Sequence, residues 1–239
     1  MLKDRINWSG YEWLTQERWG QIHPNKSFCW YDPTAVEIIY HPDGNDQLVL
    51  KTHKSSQYFP HLDLKSNIGV GLVSNTTKFK HGYFEIEAKL PVGKHLWPAF
   101  WMWSFDSWPP EIDIFEGYTR NRKGYCRFDI TNPIGFWHVN TNIHLGEHPE
   151  NYSLGAKSHW MGFKNPAKHF LKYACEWSPN KLTFYYNQKK VREITDKKVL
   201  AEINKKEMNV IINNSVDSGV DINNPTDSEF IVNYFKYER

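Results

Sequence analysis

The reactive groups of this 239-residue chain concentrate in Trp108-Pro109-Pro110-Glu111-Ile112-Asp113-Ile114-Phe115-Glu116-Gly117-Tyr118, where three carboxylates fall within six residues among bulky apolar side chains. Side chains of a regular strand alternate faces with a period of two. Glu111 and Asp113 then share one face, and Ile112 and Ile114 the other. Strict alternation would send Glu116 to the isoleucine face. One extra residue, a β-bulge near Ile114 or Phe115, returns it to the acidic face, and bulges concentrate beside active sites because they re-aim a side chain in this way. With the bulge, Glu111 and Glu116 stand about four strand steps apart, roughly 13 Å between Cα atoms. Carboxyls leaning inward on a curved sheet close that to roughly 5–6 Å, near the ~5–5.5 Å at which one carboxyl attacks a glycosidic carbon while the other protonates the leaving oxygen. Asp113, between them, can hold a proton or a hydrogen bond toward Glu111. Three clustered carboxylates cannot all ionise without mutual repulsion, so their pKa values split and couple. A nucleophile and a general acid need that split. On spacing alone, a solvated acidic strand face or a cation site fits E-x-D-x-x-E equally well.

The elements that must position these groups read as strands. Hydrophobic alternation and turn signals predict strands over 34–40 and 47–51 about the turn His41–Asp46, then over 68–74, 83–90 and 97–103. In the 83–90 segment Phe84, Ile86 and Ala88 alternate with Glu85, Glu87 and Lys89, so one face is wet. The 97–103 segment is almost wholly apolar and reads as a buried central strand. Trp108-Pro109-Pro110 stops the chain before Glu111, since proline is tolerated at a strand entrance. Further strands are expected over 125–131, 139–145, 208–213 and 230–237, with a hairpin of 170–177 and 182–187 about Ser178-Pro179-Asn180-Lys181. Residues 197–206 read as the single short helix. Residues 1–30 read as a mostly irregular, tryptophan-rich arm, and 52–66 and 146–166 as loops. Many short strands with little helix predict an all-β fold, a β-sandwich in one domain spanning 1–239.

Composition narrows the function classes. The formal charge of +2 implies no nucleic-acid or anionic-membrane partner, and no apolar run is long enough for a transmembrane helix. Aromatic residues make up 16%, with eleven tryptophans, which serve as core filling or as stacking platforms. Three cysteines, Cys29, Cys126 and Cys175, allow at most one disulfide; free buried thiols are expected. No His-x-x-x-His pair falls on a predicted helix, so a catalytic metal is not expected. Met1-Leu2-Lys3-Asp4 does not read as a leader.

The segment Lys89-Leu90-Pro91-Val92-Gly93-Lys94-His95-Leu96-Trp97-Pro98-Ala99-Phe100-Trp101-Met102, followed by Trp108 to Glu116, resembles the core of glycoside hydrolase family 16 in its bulged, laminarinase-like branch. Weaker echoes run from Gly82-Tyr83-Phe84-Glu85 to Phe230-Ile231-Val232-Asn233-Tyr234. The resemblance implies a jelly roll of two curved antiparallel sheets with a concave substrate cleft. It implies an endo-acting, retaining β-glycan hydrolase in which Glu111 is the nucleophile, Glu116 the acid/base and Asp113 the assistant of Glu111. The favoured substrate is β-1,3- or mixed-linkage glucan. A galactan hydrolase of the agarase, porphyranase or carrageenase kind is the alternative, with Arg120, Arg122, Lys123 and Arg127 available to sulfate. A non-catalytic carbohydrate-binding jelly roll is a third reading.

Trp97 and Trp101, four apart on one strand face, match cleft tryptophans of the family; sugar stacking and core packing both fit. His144 resembles the His-x-Gly step after the catalytic strand, and Asn213 an asparagine of a late strand. Tyr118 and Trp137 neighbour the site in sequence order only. The chain departs from the family at Leu171, Glu87 and Asn233. The last replaces an aspartate that holds a structural calcium, and asparagine brings no charge, so that calcium is not expected. No organic cofactor is implied, and the expected partner of a monomer is a polysaccharide or oligosaccharide. A polysaccharide substrate implies a secreted or periplasmic location, with a cytoplasmic one as the alternative.

Overall fold

The structure, a computed structural model, describes residues 4–23, 28–119, 125–129 and 132–239, the side chains of 126–129 and 132–136 apart. In chain order the strands are β1 (Arg5–Trp8), β2 (Tyr11–Leu14), β3 (Trp30–Tyr31), β4 (Val36–Ile39), β5 (Gln47–Phe59), β6 (Leu64–Val70), β7 (Leu72–Asn75), β8 (Gly82–Lys89), β9 (Leu96–Trp103) and β10 (Glu111–Glu116). They continue with β11 (Cys126–Asp129), β12 (Asn132–Leu145), β13 (Tyr152–Ser153), β14 (Lys157–Trp160), β15 (Leu171–Ser178), β16 (Lys181–Tyr186) and β17 (Lys189–Ile194). The helix α1 (Lys197–Ile203), β18 (Asn209–Val216) and β19 (Ser228–Glu238) close the chain.

Two sheets form the sandwich. The cleft sheet runs β1-β2-β7-β18-β9-β10-β12-β11, with β13 and β14 also paired to β12; the outer sheet runs β17-β16-β15-β8-β19-β5-β6-β3, with β4 on β5. Among the described residues, pairing is antiparallel except for the short parallel contact of β3 with β6. The core between the sheets takes Phe84, Ile86 and Ala88 from β8, Phe100 and Met102 from β9, Tyr173 and Trp177 from β15, and Phe230 and Val232 from β19. This is the jelly roll expected, with β10 near the middle of its sheet.

Several local expectations are corrected. The segment expected as one strand over 68–74 is two strands in different sheets, broken at Gly71. A Cβ there would lie 2.5 Å from the Ala35 carbonyl oxygen and 2.9 Å from Leu50 Cα, so only glycine lets the chain cross. Its amide bonds Lys51 of the outer sheet and its carbonyl accepts from Asn214 of the cleft sheet. The arm is not wholly irregular: β1 and β2 form a hairpin that joins the cleft sheet through Trp13 opposite Asn75. The expected loop 52–66 is mostly strand, the end of β5 paired with β6; its polar, exposed side chains hid the pattern. The loop 146–166 contains β13 and β14, and β17 was not expected. Cys29 and Cys175 are buried thiols; the Cys126 side chain lies outside the described residues.

Candidate active site

Neighbouring strands set the polar groups in rows across the cleft face. His144 of β12, Glu111 of β10 and Trp103 of β9 are aligned; so are Asn142, Asp113 and Trp101, and then Asn140, Glu116, Ala99 and Asn213. The rows hold together only because the ladder slips. Against β12 the register shifts between Asp113 and Glu116, and against β9 between Asp113 and Phe115, so Ile114 has no partner on either strand. This is the bulge expected from the sequence. Its cause is visible behind the sheet, where Ile114 and Phe115 are both fully buried and Phe115 packs on Tyr173 with ring centroids 4.3 Å apart. Burying a phenylalanine side chain is worth roughly 1.5–3 kcal/mol, and strict alternation would have placed that ring in the cleft.

Glu111, Asp113 and Glu116 line one cleft of about 400 Å³, together with Trp97, Trp101, His144 and Asn213. Glu111 accepts a hydrogen bond from Trp108 Nε1 at 2.7 Å. His144 Nε2 lies 3.7 Å from Glu111 Oε1 and 3.5 Å from Asp113 Oδ2. Asn142 holds the imidazole, its Nδ2 being 3.1 Å from Nε2, and its own Oδ1 accepts from Ser153 Oγ and the Ile143 amide. Burial, followed by the charge of Asp113, raises the Glu111 carboxyl well above the usual carboxylate range, against the opposing pull of His144 and the Trp108 N–H. The ligating atoms of Glu111, Asp113 and His144 lie within 4.8 Å of one another, close enough to hold a cation or to share a proton.

Glu116 is buried and differently held. Its Oε1 accepts from Tyr118 OH at 2.7 Å and from Trp97 Nε1 at 3.1 Å, and the two donor rings face each other at 5.1 Å and 31°. Trp101 Nε1 donates to Asn213 Oδ1 at 2.7 Å, and Asn213 Nδ2 donates to the Trp97 carbonyl at 3.2 Å. Asn213 thereby ties both cleft tryptophans to β18. Trp97 and Trp101 are half-buried, each with its N–H engaged and part of its surface open. Trp137 lies elsewhere, in a separate depression with Tyr125 and Lys94. Arg120, Arg122 and Lys123 lie outside the described residues, as does the Arg127 side chain.

Sequence reasoning missed Trp19, His23, Tyr31, Trp108, Asn142 and Ser215 in the cleft wall. Asn142 shares a strand face with His144, and Ser215 with Asn213, so period two could have found them. Trp19 and His23 had no local signal; the arm folds Trp19 onto Trp103 at 5.2 Å.

At the position of the family's calcium-binding aspartate, Asn233 Oδ1 accepts from Gln47 and Nδ2 donates to Glu87, both at 2.8 Å. Both ends of the neutral amide are thus engaged within the protein.

Comparison with known proteins agrees with this fold. A glucan endo-1,3-beta-glucosidase of Cryptopygus antarcticus is 33% identical over 114 residues, covering 45% of this chain and 37% of that protein. The chain thus spans well under half the length of that relative. Among solved structures, a GH16 protein of the Bacteroides ovatus mixed linkage glucan PUL, in complex with a G4G4G3G product, superposes with a TM-score of 0.70 at 19% identity over 100% of this chain and 98% of the other. LamAcat from Zobellia galactanivorans does so with a TM-score of 0.70 at 18% identity, over 95% and 90%. The profile of the glycosyl hydrolases family 16 matches residues 35–234, and the chain belongs to that family.

Proposed function

We propose that the protein is a retaining, endo-acting β-glucan hydrolase on β-1,3- or mixed-linkage glucan. The observation that carries the reading is the bulge at Ile114, which turns Glu116 into the same cleft as Glu111. Glu111 attacks the anomeric carbon while Glu116 protonates the leaving oxygen; Glu116 then takes a proton from the water that releases the sugar. Glu111 must be ionised to attack. Its setting and the charge of Asp113 disfavour that, and attack therefore requires the proton of the pair to pass to Asp113, which then donates a hydrogen bond to the nucleophile. Trp108 N–H steadies the carboxylate so formed. Trp97 and Trp101 offer aromatic faces to sugar rings, and the relatives that act on or bind glucans support that substrate class.

No organic cofactor enters this chemistry, and the bonds of Asn233 support a domain that does without calcium at that position. A carbohydrate binder without catalysis has no use for a bulge that brings a third acid into the cleft. The test is release of reducing ends from laminarin, lichenan, agarose, porphyran and κ-carrageenan. Release from laminarin or lichenan is expected; release from the galactans alone, or binding without any release, overturns the reading.

A further inference from the structure

The bulge leaves a polar problem behind the catalytic strand. Ile114 has no partner on β9 or β12, and its carbonyl points into the interior, where a backbone oxygen needs a donor. The donor comes from the other sheet. Tyr186, buried on β16, directs its hydroxyl to Ile114 O at 3.0 Å, with Asn140 O of β12 also in reach at 3.4 Å. One hydroxyl therefore faces the two carbonyls that flank the register slip, one on each strand. Burial, then Tyr173 and the charge of Glu116, hold the phenol well above its usual range despite Arg192, so it stays protonated and donates. Neighbouring Tyr173 is also buried, but its hydroxyl has no partner among the described residues.

We propose that Tyr186 is a positioning residue for the acid/base: its hydroxyl pins the bulge that aims Glu116 at the cleft, so it acts on catalysis through the backbone from the far side of the sheet. This rests on the reading of Glu116 as the acid. Without the hydroxyl, the Ile114 carbonyl must turn to find another donor, and the peptide that turns is two residues before Glu116. A misplacement on the order of 1 Å can cost about 100-fold in rate.

Tyr186→Phe keeps ring and packing and removes only the donor. Its kcat/KM on laminarin should fall about 10- to 100-fold. On a dinitrophenyl β-glucoside of laminaribiose, whose leaving group needs no proton, kcat/KM should fall less than about threefold, because general acid catalysis contributes little there. A general structural weakening would lower both. Tyr173→Phe, which removes a hydroxyl without a partner, should leave both rates unchanged. A crystal structure of Tyr186→Phe decides the matter even if the wild-type enzyme proves inactive on every glucan: Glu116 should lose its hydrogen bond to Trp97 or Tyr118. Equal losses on both substrates, or a variant with Glu116 and the bulge unmoved, overturns the proposal while leaving the glucanase reading intact.

Discussion

Asp32 tests how the N-terminal arm is held against the cleft. Its Oδ1 accepts from the Thr34 amide at 2.8 Å and Thr34 Oγ1 at 2.6 Å, and its Oδ2 meets Ser55 Oγ at 2.7 Å and His53 Nε2 at 3.0 Å. The side chain is 2% exposed. Burial alone would raise this carboxyl; the hydrogen bonds from His53, Thr34 and Ser55 outweigh it and lower the pKa to about 2. The sign follows from linkage. A depressed carboxylate adds stability that is complete above the unfolded value of 3.8 and is lost as pH falls through about 2. The drop corresponds to about 2–2.5 kcal/mol at neutral pH, with roughly half gone by pH 3. Asp32→Asn should therefore lower the melting temperature by about 5–10 °C at pH 7 for a chain of this size, and the gap to wild type should narrow at pH 3. Urea unfolding at the two pH values measures it. A gap below about 1 kcal/mol, or one of equal size at both pH values, would refute the account. The consequence reaches the site because Tyr31, the preceding residue, lines the cleft.

Four further outcomes are expected. Asp113→Asn removes the negative charge that helps raise Glu111, so turnover should fall while the acid limb of the kcat/KM profile moves to lower pH; an unmoved limb removes Asp113 from the mechanism. Trp97→Ala or Trp101→Ala should cost about 2 kcal/mol or more of oligosaccharide affinity, by calorimetry on an inactive variant, with less loss of stability than the ~3–5 kcal/mol of a truncated core tryptophan. A chelator should shift the melting temperature by no more than about 2 °C, since a metal bound only to the folded state would show as a larger drop; a fall near 10 °C would restore a calcium site. Proton NMR in the first minutes of hydrolysis should show the β-anomer from a β-glucan, and an initial α-anomer would mean inversion, which needs a wider carboxyl gap of about 6.5–9.5 Å.

What could be read from the sequence, and what could not, divides on whether the cause is local. The bulge was legible because two local rules collide within six residues: the acids want one face, yet Phe115, between Asp113 and Glu116, is a core residue. Only an extra residue satisfies both, and the ladder slips where that argument puts it. The tryptophans of β9 were legible by the same period of two. The fate of Gly71 was not, because a run of apolar residues over 68–74 reads identically whether it stays in one sheet or crosses to the other; the Ala35 carbonyl that forbids a side chain there arrives from 36 residues away. The polar end of β5 escaped because an exposed strand carries no hydrophobic signal, only the pairing supplied by β6. Trp19 and His23 reach the cleft by the path of the arm, which no spacing encodes.

The catalytic strand shows the same division on its two faces. The cleft face, with Glu111, Asp113 and Glu116, is written in consecutive residues. The back face is completed by Tyr186, 72 positions along the chain from Ile114, and by Tyr173, both from the opposite sheet. A bulge therefore has two requirements: a local sequence that demands it, and distant donors and packing that satisfy what it exposes. Only the first lies in E-x-D-x-x-E, so a chain could keep all three acids and still hold the acid/base poorly. That is why variants behind the sheet discriminate this mechanism from mere preservation of its carboxylates more sharply than another substitution of Glu111 or Glu116.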